Sequence, residues 1–134
     1  RGTPQTMQTM KEYKDLLGDI KEFLASKIDE AVSCGIANQN VIIDVGFGFA
    51  KTREQNYELL KHLSFFKDLG VQMLVGLSRK TFLAQKRELP PKRKAQTLAA
   101  NLVALQGGAD ILRVHDVKDT RKIMDFYQEL QGAK

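Results

Sequence analysis

Helix-period segments alternate with short β-branched runs along this chain of 134 residues, and the stretches between them are brief. That order predicts an α/β fold in which parallel strands are joined by crossover helices. The hydrophobic share of 43% is enough to build a core. No low-complexity tract, heptad repeat or linker divides the sequence, so residues 1–134 read as a single domain.

From Leu16 to Ala31, apolar residues at Leu16, Leu17, Ile20, Leu24, Ile28 and Ala31 follow the i, i+3, i+4, i+7 rule of an amphipathic helix. Asp15 is its expected N-cap, and Gly35 its expected stop. The run Val41-Ile42-Ile43-Asp44-Val45 then reads as a parallel strand buried on both faces. Asn56, Leu59, Leu60, Leu63 and Phe66 mark a second helix ending near Gly70, followed by a strand over Val71 to Leu77. Lys86 to Lys94 is a basic interruption in which two prolines break helical structure. Ala95, Leu98, Ala99, Leu102 and Leu105 give a third helix one apolar face, and it stops at Gly107-Gly108. A third strand follows over Ala109 to Val114. Thr120, Ile123, Met124, Tyr127 and Leu130 mark a last helix.

Lys and Arg number 21 against 16 Asp and Glu, a net charge of +5 that favours anionic partners. No apolar run approaches the roughly 20 residues that span a bilayer, and no membrane partner is expected. The first residues lack the charged-then-apolar order of a secretory signal. The single cysteine, Cys34, excludes an internal disulfide framework and suits a reducing cytoplasm. Because the chain begins at Arg1, it is read as a processed product or part of something longer.

In parallel α/β folds, chemistry gathers beyond the C-terminal ends of the strands. All three strands here end in polar or glycine-rich sequence: Asp44 to Lys51, Gly76 to Thr81, and Arg113-Val114-His115-Asp116. The opposite ends, near Asn38-Gln39-Asn40 and Leu69-Gly70, read as ordinary turns. The expected site is therefore one cation-rich face holding one nearly buried carboxylate, Asp44. A charge inside an apolar run is costly to bury alone, although Asp44 could also simply brace the loop after it. Ser78-Arg79-Lys80 also reads as a helix N-cap with solvated charges, and His62 reads as structural.

Gly46 to Thr52 fails as a phosphate loop, because Ala50 stands where glycine must precede Lys-Thr and Val45 holds the earlier glycine position. It is not a dinucleotide motif either, since Lys51 takes the third glycine's place. The basic stretch before the third helix has no aromatic interleaving, so a nucleic-acid partner is not expected.

Taken together, these motifs resemble dihydropteroate synthase, a transferase family of folate biosynthesis and a sulfonamide target. Arg1-Gly2-Thr3-Pro4 with Met7 is similar to the segment after that family's fifth strand. Asp44 to Thr52 is similar to its sixth-strand motif, Gly76 to Lys80 to the seventh-strand loop, and Arg113 to Val117 to the eighth strand. Four motifs in the right order make the match specific. The resemblance implies the C-terminal part of a TIM (β/α)8 barrel, about three parallel strands with four flanking helices. A complete barrel takes about 250 residues, so this chain reads as roughly half of one.

The family joins a pterin carrying a methyl pyrophosphate to p-aminobenzoate and releases pyrophosphate with Mg2+. By resemblance, Asp44 accepts hydrogen bonds from the pterin, and Lys80 binds its other polar edge and stands near the aminobenzoate. Phe49 lines the aminobenzoate slot, with Thr81 near that substrate's carboxylate. Arg113 and His115 hold the pyrophosphate and, with Lys80, are the expected catalytic residues. Gly48, Gly76, Ser78 and Arg79 complete the expected substrate-binding set. The metal's protein ligand is expected in the half that this chain lacks, so the chain alone is expected to be inactive. The resemblance also implies a homodimer through the last helices, around 92–107 and 117–131. One departure is Val45, where the family usually has proline. Two other readings stay open: a non-catalytic module for pterins or anions, and a pterin-binding methyltransferase domain. The Ser78-Arg79-Lys80 and Arg113-Val114-His115 pair argues against the second, since methyl transfer has no pyrophosphate to grip.

Overall fold

The computed structural model describes residues 15–84 and 89–134. The segment at Arg1 to Met7 expected to follow the fifth strand, and residues 86–88 of the basic stretch, lie outside the described residues. Helix α1 spans Leu16–Ser33, strand β1 Ile42–Asp44 and helix α2 Arg53–Lys61. Strand β2 follows at Gln72–Val75, then α3 at Lys94–Gln106, β3 at Ile111–Leu112 and α4 at Val117–Gly132. The strands form one parallel sheet in the order β1-β2-β3, with Ile43 opposite Met73 and Leu74 opposite Ile111. This is the α/β alternation that the sequence predicts.

Local chemistry sets most boundaries. Asp15 caps α1 by accepting the Gly18 N–H at 3.1 Å. At the other end Gly35, at φ +94°, donates to Val32 O, while Ile36 N–H reaches back to Ala31 O. Those two bonds are a Schellman stop, which needs the left-handed residue that glycine supplies. Thr52 and Gln55 form a reciprocal capping box at the start of α2. The second helix is shorter than its apolar pattern predicts. Regular α-structure ends at Lys61, and tighter 3-10 turns carry Leu63–Leu69 to Gly70 at φ +77°. Before α3, a 3-10 turn over Pro90–Arg93 takes up the prolines.

Two expectations are corrected. The strands are not buried on both faces, because burial alternates: Ile43, Met73 and Val75 are buried, whereas Ile42, Asp44 and Gln72 are exposed. Helices cover one face of the sheet, and no described element covers the other. Helix α3 also turns a different face inward. Thr97, Ala100, Asn101 and Ala104 are buried, while Leu98, Leu102 and Leu105 are half-buried and Ala95 and Ala99 exposed. Small side chains let α3 approach the core closely, and its leucines lie toward the flank, where α4 packs alongside.

The core is continuous: Leu24 and Ile28 of α1, Leu59 of α2, Leu63, Phe66, Met73 and Val75 close beneath the helices. Helix α4 contributes little, burying only Thr120 among its described residues, with Ile123, Met124 and Tyr127 half-buried and Leu130 exposed. No helix of the described residues is long and apolar enough to cross a membrane. Thr52→Ala removes one arm of the capping box that starts the loop-proximal helix. It is expected to cost about 1 kcal/mol and to lower the thermal midpoint by roughly 2–4 °C, read by calorimetry.

Candidate functional site

The three strand-end loops converge through side chains. After β1 the chain turns through Gly46 at φ +80° and Gly48 at φ +92°, with Ala50 also left-handed at +52°. Asp44 Oδ1 accepts the Gly46 N–H at 2.9 Å, which is the loop brace that its position allows. Its other oxygen faces Arg113 Nη1 at 3.8 Å. The Asp44 side chain is 42% exposed, so it is not the nearly buried carboxylate the sequence suggests. It lies on the uncovered face of the sheet, in register with Ile42 and opposite Leu74.

Lys80 ties the second of these loops to the first, and Lys51 braces the first internally. Lys80 Nζ donates to Phe47 O at 2.6 Å, and Lys51 Nζ donates to Gly46 O at 2.5 Å and Phe49 O at 3.1 Å. Burial pushes the Lys51 ammonium down to about 8, with Lys80 adding to the shift and Asp44 opposing it. Lys80 is lowered too, first by burial, with Asp44 resisting and Arg113 assisting. Beneath the loop, buried Asn56 accepts the Gly48 N–H at 2.8 Å and donates to Thr52 O.

Two cavities adjoin here. One, of about 210 Å³, is lined by Gly76, Ser78, Lys80, Arg113, Val114 and His115. Arg113 crosses Gly76 so closely that a Cβ there would sit 2.5 Å from Nη2, which explains the glycine. Ser78 Oγ lies 2.6 Å from His115 Nδ1 and accepts the His115 backbone N–H at 3.1 Å. The other cavity, of about 420 Å³, is walled by Phe47, Phe49 and Phe82 with Lys51, Lys80 and Thr81 at its polar edge. The exposed Phe49 ring lies 5.4 Å from Lys80 Nζ. Lys80 lines both spaces.

Of the residues singled out in the sequence, Asp44, Gly48, Phe49, Gly76, Ser78, Lys80, Thr81, Arg113 and His115 come together at this edge. Arg79 does not. It lines neither cavity, and its guanidinium pairs with Asp116. His62, exposed at the end of α2, is remote from the site motifs in the chain and lines neither space. Sequence reasoning missed Lys51 and Asn56 as loop supports. The signal for Asn56 was present: it is a polar residue at the apolar spacing of α2. Lys51 gave no such signal, because its partners are backbone carbonyls.

The donors of the described residues do not fit a protein-held magnesium ion. Among the described residues no group of three His, Cys, Asp or Glu side chains converges, and Asp44 is already taken up by Gly46 and Arg113.

The lowered lysines predict a pH dependence. Between about pH 8 and the ordinary lysine value of 10.5, the unfolded chain still holds a proton that native Lys51 has lost. Stability should therefore rise with pH across that window. Lys51→Met should flatten the rise and leave the part due to Lys80, and denaturant midpoints at pH 7.5, 9 and 10.5 would check this. An unaltered slope would contradict the assignment.

Comparison with known proteins gives a consistent result. The family model described as "Pterin binding enzyme" matches residues 1–115. A dihydropteroate synthase of Synechocystis is 44% identical over 125 residues, 92% of this chain and 43% of that protein. Among solved structures, the dihydropteroate synthase of Stenotrophomonas maltophilia superposes with a TM-score of 0.94 at 40% identity, covering 100% of this chain and 51% of the other. That of Xanthomonas albilineans, in complex with 7,8-dihydropteroate, gives 0.88 at 41% identity over 92% of this chain and 48% of that one. The chain thus spans about half the length of the relatives it matches, and its three-stranded sheet is the corresponding part of their barrel. With a family model covering most of its length and the motif residues gathered at one edge of the sheet, the chain belongs to the pterin-binding enzyme family.

Proposed function

We propose that this chain carries the strand-end half of a dihydropteroate synthase site, joining a pterin methyl pyrophosphate to p-aminobenzoate in folate biosynthesis. The observation that carries the reading is the double membership of Lys80, which lines both the cationic cavity and the aromatic one. A condensation needs such a meeting point. One space suits a leaving group rich in negative charge, the other a flat aryl ring, and the new bond forms between them.

The chemistry follows from the groups present. Asp44 offers a carboxylate to the pterin's N–H groups, and its charge favours a ring that becomes more cationic as the leaving group departs. Breaking the bond between the methylene carbon and the pyrophosphate oxygen leaves both electrons on oxygen. Arg113, with His115 held by Ser78, meets that developing charge as preformed donors. The aryl amine then forms the carbon–nitrogen bond and releases a proton. Phe49 stacks with the aryl ring, and Thr81 receives its carboxylate. Magnesium is expected to accompany the pyrophosphate, but the described residues supply no cage for it, and no step here is routed through it. The exposed Cys34 suits a reducing cytoplasm as the place of action.

The decisive test measures dihydropteroate formation by the purified chain alone and after mixing with a separately made N-terminal half of a homologue. Activity is expected only in the mixture, and Asp44→Asn should weaken pterin binding at least tenfold, as loss of a charged hydrogen-bond partner does. Pterin binding without turnover, even after mixing, would instead identify a non-catalytic module.

We also infer a homodimer. Val103 on α3 and Phe126 and Leu130 on α4 stay 41%, 58% and 52% exposed, apolar side chains open to solvent on the two helices through which the dimer is expected. Sedimentation is expected to show a dimer that Phe126→Glu converts to monomer. A wild-type monomer at high protein concentration would reject it.

A further inference from the structure

Arg79 is placed unlike its neighbours in the same motif. Its backbone is left-handed at φ +58°, a conformation that a non-glycine residue holds only where its surroundings fix it. Those surroundings are visible: its N–H donates to Thr97 Oγ1 at 3.0 Å, and its carbonyl accepts from Arg93 Nη1 at 2.8 Å. The guanidinium reaches Asp116 Oδ1 at 3.2 Å, with the two side chains only 29% and 17% exposed. Arg79 Nε and Asp116 Oδ2 have no partner among the described residues, so removing either side strands a largely buried charge.

The arrangement is tandem. Ser78 and Arg79 are consecutive on the loop after β2, and they meet His115 and Asp116, consecutive after β3. The Ser78–His115 link lines the smaller cavity, and the Arg79–Asp116 link lies toward α3 and α4. Ser78 Oγ accepts the His115 backbone N–H and keeps its own hydrogen to give to Nδ1. With Ser78 donating in that contact, the ring hydrogen belongs on Nε2.

We propose that Arg79 and Asp116 are positioning residues, whose ion pair locks the two loops in register so that Ser78 holds His115 with Nε2–H offered to an anion. The assignment rests on reading the smaller cavity as the pyrophosphate subsite. It gives Arg79 a role through Asp116 and His115 in place of direct substrate contact.

Nitrogen NMR of the histidine rings, with His62→Gln to assign the two, tests this without ligand. Wild type is expected to show His115 with hydrogen on Nε2. Arg79→Gln and Asp116→Asn should shift it toward a mixture of tautomers, as Ser78→Ala does. Calorimetric titration with inorganic pyrophosphate should show roughly tenfold weaker binding in each variant, the scale that small misplacement of a contact group brings. The double variant of Ser78→Ala with Arg79→Gln should bind no more than twofold weaker than Ser78→Ala alone, since both act through one ring. Multiplying losses, or a folded Arg79→Gln with the wild-type ring signal, would overturn the proposal. Should Arg79→Gln unfold, Arg79→Lys and Asp116→Asn decide it by the same signal, and loss of fold in all variants would make the pair merely structural. Wild type that fails to bind pyrophosphate would refute the subsite reading, while the ring signal still decides the clamp.

Discussion

The hydrogen bond from Lys80 Nζ to the Phe47 carbonyl, 2.6 Å long, ties the loop after β1 to the loop after β2. The middle loop is in turn tied to the third by Ser78 and His115. Without these links the strand ends would be three separate loops on a sheet of very short strands, with no fixed distance between Asp44, Lys80 and Arg113. The middle strand is therefore the hub, and its four residues after Gly76 make the contacts that give the site a shape. That dependence explains why Gly76 has no side chain: the Arg113 guanidinium must cross it to reach the carboxylate of Asp44.

Electrostatics adds a cost that the loops are built to bear. Lys51 and Lys80 are partly desolvated near each other, and Arg113 stands near Lys80, against the single carboxylate of Asp44. An excess of positive charge in a partly closed space stays poised for an anion, since incoming negative charge relieves repulsion as well as forming contacts. The surplus is held in place by neutral carbonyls at Gly46, Phe47 and Phe49. Carbonyls orient the ammonium groups without cancelling their charge, as carboxylates would.

Much of this was legible in the sequence. Helix existence followed from apolar spacing, and the first helix's cap and stop followed from Asp15 and Gly35, because those signals are local. Convergence of the site residues followed from strand-end position. What was not legible depends on contacts distant in sequence. The burial of α3's small face, in place of its leucines, reflects how the helix packs against α2 and the core. A one-sided sheet cannot be told from a two-sided one when Ile42 and Leu74 are as apolar as Ile43 and Met73. Asp44 looked buried for the same reason. Arg79 was expected as a ligand contact because the resemblance places it in the Ser78-Arg79-Lys80 motif, whereas its left-handed backbone and ion pair take its side chain to Asp116.

The motif's one departure shows how such a loop can be stiffened by other means. Where the resemblance places a proline, this chain has Val45, which restores an N–H and a free φ angle. Val45 is itself 3% exposed, so packing limits its freedom. The residues around it do the rest: Asp44 Oδ1 closes a turn on the Gly46 N–H, and Lys51 Nζ joins the carbonyls of Gly46 and Phe49 across the loop. A ring fixes one torsion angle, whereas these bonds fix the ends of a five-residue path that includes both left-handed glycines. Holding Lys51 against these carbonyls takes it largely out of water, and that desolvation is what lowers its ammonium to about 8.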